Sequence, residues 1–376
     1  MARPSSSPPT HELPAAEAGR WFWGWIGILT LFFAAAGIGL TWMQAAAERA
    51  ENRDWRAIMD PAATDPGLTP PVAGPTPHAQ RVQIGLYVER ITDLSIKDSH
   101  FGIVCDLWFM WDGDGLDPAA RLVVVDGAIE KLTLLDESHV GDRHEQRYEL
   151  TAVITKPFHI RHFPLDRHLL VVAFENGASP RDRLVFVPDE RNTALSSRAV
   201  VHGYRLDSLR AIEKPHTYKT SRGRLDVEPG ATTTFSQARF SVVLSRDGWG
   251  LFAKMFQALF VAVAIALLPC FMRPTDLDPR FGLGVGALFA GVANAYLVYG
   301  YVPETGEFAL ADMVNLLGTL TILLTLVGST ISLRLFMQPG GRSWSRRLDR
   351  ASFWVMLVGF VTAVVLILWA ASGGFA

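Results

Sequence analysis

The chain has 376 residues, with 35 Lys or Arg against 37 Asp or Glu, so its small net charge gives no electrostatic reason to bind nucleic acid. Hydrophobic residues make up 49%, a share that suits polar domains fused to apolar segments better than one uniform globule. The two cysteines, Cys105 and Cys270, fall in a predicted strand and an apolar segment, which excludes a disulfide framework and CxxC-type zinc sites. No glycine-rich phosphate loop, HExxH or GxSxG is present, so no cofactor, metal or enzymatic activity is expected.

Residues 1–20 read as a cytoplasmic N-terminal tail, and 21–43 as a first apolar helix flanked by Trp21, Trp23, Trp25 and Trp42. The run is longer than a signal-peptide core and its tryptophans suit an interface, which favours an uncleaved anchor. Ala45-Ala46-Ala47 keeps open the alternative of a cleaved signal peptide. Residues 44–81 predict a helix, Gln44 to Met59, then an extended tether carrying Pro61, Pro66, Pro70, Pro71, Pro75 and Pro77.

From Val82 the pattern changes to period two: Val82, Ile84, Leu86 and Val88 alternate with Gln83, Gly85, Tyr87 and Glu89. Phe101–Trp111 alternates in the same way, and further strands are expected at Arg121–Val125, Arg147–Thr155, Leu169–Phe174, Leu184–Val187, Tyr204–Ile212 and Phe235–Leu244. Many short strands between polar turns predict an antiparallel β-sandwich over 82–246. Residues 247–376 then hold four apolar segments with short connections, near 249–272, 281–301, 313–337 and 353–371, each long enough to span a bilayer. The expected fold is therefore an α+β membrane protein: a β-sandwich, a four-helix bundle and an additional N-terminal helix.

Loop charges give a direction. Arg273 and Arg280 follow the second apolar segment, and Arg334, Arg342, Arg346, Arg347 and Arg350 surround the connection after the fourth. Glu304, Glu307 and Asp312 follow the third. The positive-inside rule puts the arginine-bearing loops in the cytoplasm and the sandwich outside.

One stretch is distinctive. Phe158-His-Ile-Arg-His-Phe-Pro-Leu-Asp-Arg-His-Leu-Leu170 places Phe163, Pro164 and Asp166 in an aromatic-Pro-x-Asp turn, just before the later strands and the apolar segments. The turn, with Leu107-Trp-Phe-Met-Trp-Asp112 and a last strand ending at Arg246, resembles the pentameric ligand-gated ion channels (Cys-loop receptors) over roughly 82–371. The family's two loop cysteines are replaced by Lys156 and Leu170, as in its prokaryotic members. The resemblance implies a homopentamer in the lipid of a prokaryotic inner membrane. It also implies gating by a small-molecule ligand or a proton, and permeant ions with cations slightly favoured.

The resemblance assigns Phe163, Pro164, Asp166, Arg246 and Pro303 to a coupling junction. A carboxylate at the hydrocarbon edge is costly unless paired, and Arg246 is the expected partner of Asp166. It makes the second core helix the pore wall, where helical spacing puts Gly282, Gly286, Phe289, Ala293, Tyr296 and Gly300 on one face. Phe289 would form a hydrophobic constriction. Asp278 and Arg280, with Asp276, Glu304 and Glu307, are the charges expected at the mouths. Trp111, Tyr204, His216 and Tyr218 are the candidate ligand contacts. The usual pore hydroxyls are replaced by glycine, so a non-conducting sensory or interaction protein of the same fold is the alternative. His139, His144, His159, His162 and His168 form a histidine-rich region without metal-site spacing.

Overall fold

The period-two run at Val82 becomes β1 (Gln80–Ser95), which pairs antiparallel with β2 (His100–Asp112) in the register Ile84↔Phe109 and Leu86↔Leu107. In this computed structural model the described residues are 15–64, 76–223, 228, 230–301 and 306–373. The remaining strands are β3 (Leu122–Val125), β4 (Gly127–Val140), β5 (Arg143–Thr155), β6 (Arg167–Asn176), β7 (Leu184–Pro188), β8 (Ala194–Leu195), β9 (Tyr204–Tyr218) and β10 (Thr233–Arg246). They form two sheets, one ordered β4-β5-β2-β1-β7 with β8 also on β1, the other β3-β6-β10-β9. Inward residues of both sheets, among them Leu86, Phe101, Phe109, Phe174, Phe186 and Phe240, make one buried core. This is the sandwich-like arrangement that alternating burial requires.

The chain divides into two compact units. Arg49–His159 with Leu165–Gly248 form the strand unit, and Met1–Glu48, Ile160–Pro164 and Trp249–Ala376 form the helical unit. The helical unit contains α2 (Trp249–Leu267), a 3-10 turn (Leu268–Phe271), α3 (Leu277–Tyr299), α4 (Leu310–Phe336) and α5 (Arg342–Ala371). With α1 (Ala15–Met59), five helices are long and apolar enough to cross a membrane. Small residues let them approach: a Cβ on Gly359 of α5 would come within 2.5 Å of Phe33 of α1, so only glycine fits there. Trp25 of α1 donates from Nε1 to Ser352 Oγ at 3.1 Å.

Several elements differ from expectation, among them β7 and β8, which pair parallel rather than antiparallel with β1. α1 has no break at residue 43, because Leu40 to Met59 contains no proline or glycine and is rich in helix formers. Its last turn lies in the strand unit. There the carbonyls of Ala57 and Ile58, which lack partners within the helix, accept from Lys214 Nζ and from Arg239 Nη1, the latter at 3.1 Å. β4 was not expected at all: it is an edge strand with nearly every residue exposed, so it shows no alternation. β9 runs past Ile212 through Pro215, which an edge strand tolerates. Pro66, Pro70, Pro71 and Pro75 of the expected tether lie outside the described residues.

Gly85 lies directly opposite Trp108, whose Nε1 donates to Asp189 Oδ2 at 3.2 Å; a Cβ on Gly85 would fall 2.2 Å from the indole. Gly85→Ala should therefore lower stability by about 1–3 kcal/mol, read from the thermal midpoint in detergent. Adding Trp108→Leu should recover part of that loss, and an additive double variant would contradict the stacking.

Candidate functional site

β6 begins at Arg167, just after the aromatic-Pro-x-Asp turn, and β10 ends at Arg246; the two strands pair antiparallel, Ser245 opposite Arg167. That register brings Arg246 to Asp166. Arg246 Nε donates to Asp166 Oδ1 at 2.6 Å and its Nη2 to Oδ2 at 3.1 Å, while the Arg246 backbone N–H donates to the Asp166 carbonyl at 3.1 Å. A third member went unforeseen: His168 Nε2 lies 2.6 Å from Asp166 Oδ2. Asp166 and His168 are both buried, and the Arg246 guanidinium stacks 4.4 Å from the Tyr204 ring centroid. Burial by itself raises the Asp166 carboxyl. The hydrogen bond and charge of His168, followed by Arg246, outweigh it and hold the carboxyl down to about 2.

The loop is closed at its base without a disulfide. Lys156 donates from Nζ to the Leu169 carbonyl at 2.6 Å.

Ile160–Pro164, the tip of the same turn, belongs to the helical unit. The Arg161 carbonyl accepts from the Leu310 backbone N–H at 2.8 Å, at the start of α4, and from Gln44 Nε2 of α1 at 3.0 Å. Glu307 accepts from the Ile160 N–H at 3.2 Å and pairs with Arg161 at 3.0 Å. Phe163 and Pro164 are buried and joined by a cis peptide bond. Glu307 is thus engaged with the turn rather than presented at a mouth. Pro303 and Glu304 lie outside the described residues.

On α3 the buried positions are Arg280, Gly284, Ala287, Gly291, Asn294 and Val298. All six positions of the opposite stripe, Gly282, Gly286, Phe289, Ala293, Tyr296 and Gly300, are exposed in the single chain, Phe289 at 73% and Tyr296 at 76%. Asp278 is exposed in the first turn. Arg280 corrects the expectation of a mouth charge. It is 1% exposed and donates from Nη2 to Asp349 Oδ1 of α5 at 2.6 Å, because the helix turns it into the bundle interior.

The four candidate ligand contacts separate. Trp111 stacks on His144, 5.3 Å between centroids, and Tyr204 belongs with Arg246. Only His216 and Tyr218 meet, 4.5 Å apart. Around them the strands add residues the sequence did not flag: Phe235 edge-on at 5.6 Å, Arg222 over the Tyr218 ring at 4.3 Å, and Glu175. Glu175 is buried and accepts from Tyr218 Oη at 3.1 Å and from Gln237 Nε2 at 3.0 Å. Burial raises its carboxyl despite these donors, and burial followed by Glu175's charge raises the Tyr218 phenol. A buried acid at the end of β6 was visible only as Phe174-Glu175-Asn176, with nothing local to tie it to Tyr218. Of the five histidines, His139 meets His144 and His168 meets Asp166. Among the described residues no group of three metal-binding side chains forms.

No family model matches the chain, and no curated protein matches its sequence.

The depressed carboxyl sets an acid limit. Asp166's contribution is fully present above its ordinary value of 3.8 and is lost as pH falls toward about 2. Roughly 2 kcal/mol of strand-unit stability should disappear between pH 4 and 2. In Asp166→Asn that pH-dependent component should vanish from a denaturant titration followed by tryptophan fluorescence.

Proposed function

We propose that the chain is a subunit of a pentameric ligand-gated ion channel of the Cys-loop superfamily, prokaryotic type, with its strand unit outside an inner membrane. In this reading α2–α5 span the bilayer, α1 is an additional anchor, and α3 from five copies lines the pore. The observation that carries the reading is the bare stripe on α3. Of the four core helices α3 is the least covered within its own chain. Its exposed positions include Gly282, Gly286, Ala290, Ala293 and Gly300 beside Phe289, Tyr296, Val285, Val292 and Leu297, whereas most exposed positions in the apolar part of α5, such as Trp354, Val358, Val361 and Val365, are bulky. Small residues on an exposed face let helices approach closely, as five α3 helices converging on an axis would need.

The aromatic-Pro-x-Asp turn supplies a coupling route along the chain itself. Its carboxylate is bolted to the end of β10, and its tip is bonded to α4 and to the Glu307 segment. A ligand held near His216, Tyr218 and Glu175 would shift β9 and β10, and Arg246 would carry that shift to Asp166. Two packings of this turn then bias the pore. Rings of Phe289 close it by dewetting. Asp278, exposed at the start of α3, gives cations the slight preference.

Purified protein in liposomes should pass monovalent cations, and Phe289→Ser should raise the unstimulated flux at least several-fold by wetting the constriction. Five-fold particles that pass no ion, in both the native protein and Phe289→Ser, would leave the non-conducting receptor instead. Monomers or dimers would remove the pore altogether.

A further inference from the structure

A cavity of about 910 Å3 opens in the strand unit beside the last turn of α1; Gln237 on its wall also donates to Glu175 of the Tyr218 cluster. Its walls are mostly apolar, from Ile58, Val125, Ala128, Val153, Val171 and Ala173. Lys156 stands on the same wall. A lysine drawn out of bulk water is ordinarily matched with a carboxylate. Lys156 is not: its amine donates to the Leu169 carbonyl, and among the described residues no carboxylate forms an ion pair with it. Asp126 and Glu51 are near enough to favour its charge and Arg239 near enough to oppose it; His159 completes the titratable lining. Desolvation, the largest effect, lowers the Lys156 amine to about 8.

We infer that this cavity binds an organic monocarboxylate, its acid group paired with Lys156 and its hydrocarbon body against the apolar wall. The amine donates one proton to Leu169 and has two further donor positions when charged, so a carboxylate supplies the missing counter-ion without breaking the loop closure. Arg239, already held by Ile58 O and Gln237 Oε1, adds a favourable field rather than a direct grip. The apolar volume selects against small inorganic anions and polar diacids.

The pairing has a pH signature. The ligand's acid is ionised throughout the range from 7 to 9, while the unliganded amine loses its proton near 8. Binding above that pH must therefore take up a proton, and affinity should fall roughly tenfold between pH 7 and 9.

The experiment is calorimetric titration of the full chain in lipid nanodiscs with 4-phenylbutyrate, using 4-phenylbutanol as the neutral comparator. It needs no conduction and no pentamer, so its outcome is independent of the channel reading. The acid should bind one per chain and at least tenfold more tightly than the alcohol. Lys156→Arg should retain binding and lose the pH dependence, since its charge does not titrate in this range. Lys156→Met should lose binding, with the Arg variant showing that the loop still folds. Equal affinity for acid and alcohol, unaltered binding in Lys156→Met, or no binding to the native chain would each overturn the assignment.

Discussion

The Asp166 carboxylate is the constraint around which the rest is arranged. A negative charge 2% exposed to solvent is affordable only with close, well-directed partners, and it has two: the Arg246 fork and the His168 ring. Those partners come from the last residue of β10 and the second residue of β6, so satisfying one carboxylate fixes the register of two neighbouring strands at the end where β10 leads into α2. Tyr204 on β9 stacks on the same guanidinium and draws the edge strand into the arrangement.

The turn around that carboxylate is divided. Leu165 onward belongs to the strand unit, and Ile160–Pro164 to the helical unit. Each half has its own bonds: Lys156 to Leu169 at the base, and Arg161 and Ile160 to Leu310, Gln44 and Glu307 at the tip. A disulfide at the base of such a loop would be a covalent clamp. A lysine-to-carbonyl hydrogen bond is a weaker and titratable one, which is why the same residue can close the loop and also face a ligand cavity.

Much of the fold was legible because it follows from burial on one face. β1 and β2 alternate because mainly one side meets the core, β10 is central in its sheet and buried almost throughout, and the apolar helices announce themselves by length. Where both faces meet water, as in β4, no pattern exists to be read. The strand expected at Tyr204–Ile212 runs on through Pro215 because β9 is an edge, a tertiary fact. At the site, the partnership of Asp166 with a cation followed from the cost of burying a charge. Its sharing with His168, two residues on, did not. Arg280 was misplaced because loop-charge reasoning treats an arginine at a helix end as exposed, whereas Asp349, far along the chain on α5, draws it inside. Glu175 and Arg222 were invisible for the same reason: their roles depend on Tyr218 from another strand.

The most direct measurement is a double-mutant cycle on Asp166→Asn and Arg246→Gln, read as unfolding free energy of the strand unit at neutral pH. A turn anchored through this pair predicts a coupling of about 2 kcal/mol, with each single change costing nearly as much as both together. Additive losses, with coupling near zero, would mean that the carboxylate does not hold β10 and that the route from the strands to the turn is absent.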